Sequence, residues 1–292
     1  MQNASLCRPA AIPIVPSIAP LAAGREAWLT DIWGVMHDGV APYLAAAEAC
    51  TRFRATGGIV LLLSNAPRPA ESVAAQLDRI GVPRSAWDRI ISSGDAARAL
   101  IAALDRGPLF HLGPERDLAI YGGLPLRLTS AGEAGAVVCT GLFDDETETP
   151  EDYAALLADC AHRTLPMVCA NPDLTVERGG RIVYCAGALA QLYESMGGKV
   201  AYAGKPYLPI YDLAFSALSE IKGRPVPREA ALAIGDGIAT DIAGAAAAGV
   251  ASVYVASGVH VAGGTGLDRA TLDALFPDPA LRPAAAMTAL AW

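Results

Sequence analysis

Four short segments of the sequence carry polar side chains that together could handle a phosphate ester. They contain Asp31, Ser64-Asn65, Lys205, and the pair Asp236 and Asp241. Two carboxylates and water suit Mg²⁺, while a lysine and a hydroxyl can neutralise and orient a phosphate group. With a metal ion to offset the repulsion between carboxylate and phosphate, Asp31 could attack phosphorus and form an aspartyl-phosphate.

Taken one at a time, these residues also have ordinary structural explanations. Asp31 could cap the turn after a strand, and Ser64-Asn65 could begin a helix. Lys205 could be a solvated loop lysine, and Asp236 and Asp241 could be a turn residue and a helix N-cap. The functional hypothesis therefore depends on all four segments occurring together and in this order.

The elements that must position these residues read as part of a parallel sheet. Residues 27–32 are predicted to form a buried strand, and residues 59–63 are a continuous apolar run of strand length. A helix is predicted over residues 43–56, and a second helix is predicted to end at Gly81. This strand–helix–strand–helix order is typical of a parallel sheet.

The same alternation returns near the C-terminus. Strands are predicted over residues 232–234 and 251–255, with an Ala-rich helix between them. Ligands of parallel α/β sheets bind beyond the carboxyl ends of the strands, which is where the polar segments lie. The sequence thus predicts an α/β fold whose Rossmann-like parallel-sheet core consists of residues 1–81 and 200–292.

Residues 82–199 are predicted to form a second α/β domain inserted into this core. The insert has strand-like runs at residues 136–139 and 166–170. Its helix-like segments lie around residues 95–105, 151–161 and 188–196.

The order of the polar segments resembles the four motifs of the haloacid-dehalogenase-like superfamily. The matching stretches are Asp31-Ile32-Trp33-Gly34-Val35, Leu61-Leu62-Leu63-Ser64-Asn65, Gly204-Lys205-Pro206 and Gly235-Asp236-Gly237-Ile238-Ala239-Thr240-Asp241. The long insert after the second motif resembles the class II cap arrangement. Further stretches narrow the resemblance to class IIA, which includes nucleotide, sugar, pyridoxal and phosphoglycolate phosphatases: Ile91-Ser92-Ser93-Gly94, Cys139-Thr140-Gly141-Leu142, Ala170-Asn171-Pro172-Asp173 and Gly204-Lys205-Pro206-Tyr207.

This resemblance implies Mg²⁺ as cofactor and a small phosphorylated metabolite as substrate. It implies that Asp31 is the nucleophile and that Lys205 stabilises charge. The other implied roles are metal binding by Asp31, the main-chain oxygen of Trp33, Asp236 and, indirectly or through water, Asp241, and phosphate binding by Ser64, Asn65 and Lys205. Arg68 could reach an anion of the substrate, or it could be a surface charge of a helix. The cap residues Asn171 and Asp173 could help to select the substrate, or they could only shape a turn.

Trp33 is a departure from the pattern that the resemblance implies. Most phosphatases of this superfamily have a second aspartate at this position, which protonates the leaving oxygen and later activates water. An indole cannot perform acid–base catalysis near neutral pH. His37 and Asp38 follow closely in the sequence, and they are the candidates for a substitute acid and base, His37 because imidazole titrates near pH 7.

Two alternatives to a phosphatase remain open from the sequence. Without the second aspartate, the protein could bind a phosphorylated ligand or a partner with little turnover. It could instead cleave a bond whose leaving group needs no proton, since 2-haloacid dehalogenases resemble this motif with a tyrosine at the position of Trp33. Carbon–phosphorus cleavage is a weaker variant, because no Schiff-base lysine stands out.

Composition indicates which kinds of partner and which cellular location to expect. The 292 residues carry a formal net charge of −8, which argues against a nucleic-acid partner. No apolar run is long enough for a membrane span, so we expect no membrane partner and a cytoplasmic location. The six cysteines lack zinc-site spacing and are expected to be buried and reduced. The resemblance also allows a homodimer formed through the cap.

Overall fold

The computed structural model describes residues 11–104, 107–178, 181–256 and 267–292. Its strands are β1 (Ala27–Asp31), β2 (Ile59–Ser64), β3 (Arg89–Ser92), β4 (Leu109–Leu112), β5 (Ala136–Cys139), β6 (Pro166–Cys169), β7 (Thr175–Arg178), β8 (Arg181–Tyr184), β9 (Lys199–Tyr202), β10 (Ala231–Gly235), β11 (Ala251–Val255) and β12 (Ala285–Met287). Its α-helices are α1 (Ala19–Ala22), α2 (Leu44–Ala55), α3 (Ala70–Ile80), α4 (Ser93–Ala102), α5 (Ala154–His162), α6 (Ala186–Ser195), α7 (Leu208–Lys222), α8 (Ala243–Ala247) and α9 (Arg269–Leu275).

The larger sheet has the strand order β12-β11-β10-β1-β2-β3, and each neighbouring pair is parallel. Alternate residues of the central strand enter different apolar clusters, Leu29 in one and Trp28 in the other. The sheet is therefore covered on both faces, as continuous apolar strands require. This confirms the predicted α/β class with a Rossmann-like parallel sheet.

The position of β1 decides where the polar segments meet. It lies between β10 and β2, with Asp31 opposite Leu63. Parallel strands end at the same edge of a sheet, so the loops after β1, β2 and β10 lie side by side.

A smaller sheet is built from the middle of the chain, with the parallel order β4-β5-β6-β9. Helices α5 and α6 pack together beside it and share an apolar cluster with β5 and β6. The antiparallel hairpin β7–β8 follows β6 and projects from this unit as a separate two-stranded sheet.

The predicted insert boundaries are wrong at both ends. Strand β3 pairs with β2, so the larger sheet continues to Ser92, whereas the insert was predicted to begin at residue 82. Strand β9 pairs with β6, so the smaller sheet extends to Tyr202. Both strands are short and begin with an exposed charged residue, so neither produces the apolar run that marks a strand in the sequence.

The predicted strands and helices in the rest of the chain lie close to the observed ones. Helix α3 ends where predicted, because Gly81 adopts a left-handed φ of 92° as its C-cap. The helix predicted over residues 95–105 is α4, which begins at Ser93 and ends at Ala102; residues 105 and 106 lie outside the described part of the chain. The described cysteines are free and buried, namely Cys50, Cys139, Cys160, Cys169 and Cys185. No helix in the described ranges is long and apolar enough to cross a membrane.

Candidate active site

A cleft of about 1300 Å³ is lined by residues of both the larger sheet and the insert. It collects nearly all the residues singled out from the sequence: Asp31, Trp33, His37, Ser64, Asn65, Arg68, Asn171, Asp173, Lys205, Asp236 and Asp241. Asp38 is the exception, since it does not line this cleft. The residues arrive from loops at one edge of the larger sheet and from the insert that faces it.

A buried lysine connects two of the carboxylates at the base of the cleft. The Lys205 Nζ donates hydrogen bonds to Asp31 Oδ1 and to Asp241 Oδ1, the latter at 2.7 Å. The Asp31 side chain is 10% exposed and the Lys205 side chain 4%. Asp31 is the last residue of β1, and Lys205 follows β9, so strands of the two different sheets deliver the pair.

Three carboxylates are close enough together to share one cation. Single oxygen atoms of Asp31, Asp236 and Asp241 lie within 4.8 Å of one another, and all three residues are buried. Lys205, which bonds to two of these carboxylates, supplies one positive charge against three carboxylates, so negative charge remains in excess. Burial, and then repulsion from Asp241, raises the pKa of Asp31 although Lys205 opposes the shift. A hard divalent cation with oxygen ligands would remove this penalty, so the residues fit Mg²⁺.

Lys205 itself is held as a cation. Burial acts to lower the pKa of its amine, but attraction to Asp241 and Asp31 outweighs burial and raises the pKa. A positive charge is therefore fixed beside the carboxylate of Asp31. Such a group can bind one oxygen of a phosphate approaching the same carboxylate.

Gly34 allows Asp236 to approach the loop after β1. A Cβ at residue 34 would lie 2.0 Å from Asp236 Oδ2, and its φ of +82° is also unfavourable for other residues. Residue 34 is thus a glycine because the carboxylate of Asp236 occupies the space that a side chain would need.

Trp33 stands at the position where the resemblance implied a second aspartate. It packs against Gly39, where an added Cβ would lie 2.5 Å from the indole ring at a φ of +93°. The ring also meets the imidazole of His37 edge-on, with centroids 5.2 Å apart and planes at 78°. Trp33 and His37 therefore form one wall beside the carboxylates.

The structure separates the two candidates for a substitute acid and base. Asp38 Oδ1 accepts hydrogen bonds from the main-chain N–H groups of Val40 and Ala41 at 2.9 and 2.8 Å. These bonds lower the pKa of Asp38, and the residue is exposed. Asp38 therefore shapes its own turn and does not face the cleft, so its proposed acid–base role is not supported by its position.

His37 does face the cleft and is buried. Its Nδ1 accepts a hydrogen bond from the main-chain N–H of Gly39 at 2.9 Å, so the neutral ring carries its proton on Nε2. Burial lowers the pKa of the imidazole, opposed in part by Asp38.

Asn65 has a different position from the one expected for a phosphate-binding side chain. Its Nδ2 donates to Asp173 Oδ1 at 2.8 Å and to the main-chain oxygen of Lys205 at 3.0 Å, while its Oδ1 accepts from Lys205 N at 2.8 Å. Both amide hydrogens are therefore engaged. The side chain positions Lys205 and connects it to the insert, and it has no donor left for phosphate.

The loop of Asn171 and Asp173 carries the insert into contact with the larger sheet. Asn171 Oδ1 accepts a hydrogen bond from the main-chain N–H of Asp173 at 3.1 Å, which shapes the turn. Asp173 then bonds to Asn65, and burial raises the pKa of its carboxyl. Ser64, at the end of β2, accepts a hydrogen bond from Ala66 N at 3.1 Å and lines the cleft.

A group of charged residues of the insert also lines the cleft and was not predicted from the sequence. Arg116, Asp117, Asp145 and Arg178 line it. None belongs to a recognisable motif, and Arg178 lies in the hairpin β7–β8, which was not predicted. The available signal was weak: charged residues in loops that follow apolar runs.

Two families match parts of the chain. The family described as haloacid dehalogenase-like hydrolase matches residues 28–123. A second family, described as HAD-hydrolase-like, matches residues 202–278. The first range contains Asp31, Ser64 and Arg68, and the second contains Lys205, Asp236 and Asp241.

Similar proteins match over nearly the whole chain. The crystal structure of a hydrolase of the haloacid dehalogenase-like family from Brucella suis 1330 is 45% identical, with a TM-score of 0.85, and the match covers 94% of this chain and 99% of that one. D-glycerol 3-phosphate phosphatase from Mycobacterium tuberculosis is 28% identical over 269 residues, which is 90% of this chain and 69% of that protein. A crystal structure of glycerol phosphate phosphatase from the same organism, in complex with magnesium, is 26% identical with a TM-score of 0.67 and covers 90% of this chain and 74% of that one.

Proposed function

The chain belongs to the haloacid-dehalogenase-like hydrolases, and we propose on that basis that it is a Mg²⁺-dependent phosphatase of a small phosphorylated metabolite. The observation that carries the proposal is the buried arrangement in which Lys205 bonds to both Asp31 and Asp241 beside Asp236. It combines a nucleophile, a fixed cation and a set of metal ligands in one cleft. The glycerol phosphate phosphatase of M. tuberculosis, solved with magnesium, supports both the reaction and the metal.

In the proposed reaction, a carboxylate oxygen of Asp31 attacks phosphorus and the ester P–O bond breaks. The product is an aspartyl-phosphate and an alcohol whose oxygen takes up a proton. Water then attacks phosphorus, the acyl-phosphate P–O bond breaks, and inorganic phosphate leaves with Asp31 regenerated. Lys205 and the hydroxyl of Ser64 hold phosphate oxygens during both steps.

The remaining acidic residues would support this centre. Mg²⁺, when bound by Asp31, Asp236 and the main-chain oxygen of Trp33, would neutralise negative charge on the phosphate and the nucleophile. Asp241 holds Lys205 in place through its 2.7 Å hydrogen bond. It also accepts a hydrogen bond from the main-chain N–H of Gly237 at 3.0 Å, which fixes the loop that carries Asp236.

We assign proton transfer to His37, which lines the cleft and packs against Trp33 at the position where the usual aspartate is absent. As the imidazolium, with Nδ1 protonated and its hydrogen bond from Gly39 N–H given up, His37 donates the Nε2 proton to the leaving oxygen. The neutral ring that results then takes a proton back at Nε2 from the attacking water.

Phosphate release from a panel of phosphorylated metabolites with Mg²⁺ tests this proposal. We expect Asp31→Asn to abolish release. The matched control is Asp78→Asn, because Asp78 is an exposed aspartate on α3 that does not line the cleft. Activity that survives in Asp31→Asn would contradict the assignment of the nucleophile.

A second candidate function follows from Trp33. If the acid–base step is too slow without a second aspartate, the protein would retain phosphate and act as a low-turnover binding protein. Phosphorylated Asp31 that persists for many minutes after addition of substrate would favour this function. Halide release from 2-haloacids in the same assays would identify the dehalogenase-like alternative.

A further inference from the structure

A group of arginines lines the cleft that contains the buried carboxylates. Arg68 lies in the loop after β2 of the larger sheet. Arg116 lies in the short helix Glu115–Tyr121, and Arg178 ends β7. All three line the same cleft as Asp31 and Lys205. Three arginines from distant parts of the sequence therefore bring positive charge to the same cleft.

Arg68 is a half-buried cation without a carboxylate partner. Its guanidinium donates to Gln76 Oε1 at 2.9 Å, and no carboxylate of the described residues lies within 4.0 Å of it. Burial lowers the pKa of Arg68; attraction to Asp117 opposes this, whereas repulsion from neighbouring arginines, Arg116 first, adds to it. A partly desolvated and unpaired guanidinium is unfavourable unless an anion binds to it.

Arg116 and Arg178 are held in position by acidic side chains of the insert. Both donate to Asp145 Oδ2, Arg178 at 3.1 Å, and Arg178 also donates to Glu146 Oε1 at 3.3 Å. The Asp145 side chain is 9% exposed, whereas the side chains of Arg116 and Arg178 are 51% and 46% exposed. A guanidinium group has five N–H donors, and these contacts use one donor of Arg116 and two of Arg178. Each arginine therefore keeps N–H groups that can meet a ligand in the cleft.

The charges in this part of the cleft leave a positive excess. The arginines that line it are Arg68, Arg79, Arg116 and Arg178, against the lining carboxylates Asp117 and Asp145 and the carboxylate of Glu146, which pairs with Arg178. The metal ion of the proposed function would neutralise the buried carboxylates Asp31, Asp236 and Asp241 of the same cleft. A neutral alcohol group of a substrate would leave these arginines without a counter-charge.

We propose that the substrate carries a second anionic group, a carboxylate or a second phosphate, which binds to Arg68, Arg116 and Arg178 while its phosphate ester lies at Asp31. Guanidinium groups recognise both anions through paired hydrogen bonds. This inference rests on the proposed phosphatase function and adds the class of substrate to it.

A matched pair of substrates tests the inference. 3-Phosphoglycerate and glycerol 3-phosphate differ in having a carboxylate or a hydroxymethyl group at the same position. Fructose 1,6-bisphosphate and fructose 6-phosphate form the corresponding pair for a second phosphate. We expect kcat/KM to be at least about tenfold higher for the member of one pair that carries the second anionic group, which corresponds to ~1.4 kcal/mol, and the pair that shows the preference identifies the anion.

Arginine variants locate the preference in the structure. Arg68→Gln and Arg178→Gln should each lower the ratio of kcat/KM values within the preferred pair by about tenfold or more. Arg89→Gln is the control, because Arg89 also pairs with an acidic residue, Glu220, and neither residue lines the cleft. It should leave the ratio unchanged.

Failure of this inference is distinguishable from failure of the proposed function. Hydrolysis of both members of each pair at equal rates, or a ratio unaltered by Arg68→Gln and Arg178→Gln, would overturn the second-anion site while the phosphatase function stands. If no compound is hydrolysed, the phosphatase function fails. Calorimetric titration of the Asp31→Asn protein with 3-phosphoglycerate and glycerol 3-phosphate then decides the site, because equal affinities would exclude it and tighter binding of 3-phosphoglycerate would support it.

Discussion

At the scale of single residues, Lys205 links the nucleophile to the loop of Asp236 and Asp241. Because it is buried between two carboxylates, Lys205→Met should abolish phosphate release and destabilise the protein by about 3 kcal/mol. Urea unfolding measures the second effect. Added Mg²⁺ should restore part of the lost stability, since it supplies the missing positive charge; an unchanged unfolding midpoint would contradict this view of the site.

Gly34 offers a sharper test of the metal site. Gly34→Ala would place a Cβ 2.0 Å from Asp236 Oδ2 and should therefore displace a metal ligand. The control is Gly57→Ala, which has a similar positive φ but no neighbouring atom within 4 Å of the added Cβ. Both should lose roughly 1 kcal/mol of stability from backbone strain. Calorimetry should find weaker Mg²⁺ binding in Gly34→Ala alone, and equal affinities in the two variants would argue against Asp236 as a ligand.

The role of His37 can be tested through the leaving group. His37→Ala should lower kcat for an alkyl phosphate by ~10²–10⁴-fold, the usual contribution of acid–base catalysis. The loss should be smaller for p-nitrophenyl phosphate, whose leaving group needs little protonation. Asp38→Asn serves as control, because an asparagine oxygen can accept the same hydrogen bonds from Val40 and Ala41. Equal losses for both substrates would remove His37 from the proton-transfer step.

At the scale of elements, the insert is tied to the larger sheet through the bond between Asp173 and Asn65. Asp173→Ala should loosen this connection and raise KM several-fold with a smaller change in kcat, because closure over the substrate is impaired. Steady-state kinetics measures both constants. A fall in kcat at constant KM would instead indicate a direct part in the reaction.

The predicted strands occupy different positions in the sheets from the strands that were missed. β1, β2, β10 and β11 lie inside the larger sheet and are buried along nearly their whole length. The missed strands all lie at sheet edges and are three or four residues long, namely β3, β4, β7, β8, β9 and β12. Edge strands are covered on fewer sides, so their sequences carry less of the apolar signal.

The residues of the site could be predicted from the sequence more completely than the boundaries of the insert. Asp31, Ser64 and Asp236 lie at the ends of β1, β2 and β10, which are neighbours in the predicted sheet, so their convergence in one cleft was expected. Lys205 follows β9 of the smaller sheet, which was not predicted, so only the resemblance to a known family indicated its position. The partnership of Asn65 with Lys205 and Asp173 depends on side-chain directions across two sheets, and no local pattern encodes it. The same holds for Arg116 and Arg178, which share Asp145 only in the folded chain.

At the scale of the whole molecule, metal binding should couple to stability. The folded protein brings three carboxylates together, whereas the unfolded chain does not, so Mg²⁺ should raise the melting temperature. At a concentration of about 100 times Kd the gain is ~2.7 kcal/mol. Asp236→Asn should reduce this gain, and a chelator should abolish phosphate release. A melting temperature that does not respond to Mg²⁺ would contradict the metal assignment.

In the proposed reaction Asp31 is phosphorylated during turnover. The most direct measurement is peptide mass spectrometry of protein quenched in acid shortly after addition of Mg²⁺ and a hydrolysed phosphate ester. We expect a phosphoryl group on the peptide that contains Asp31, absent from Asp31→Asn protein and lost as substrate is consumed. Phosphate release without any phosphorylated Asp31, or phosphorylation of another residue in its place, would contradict it.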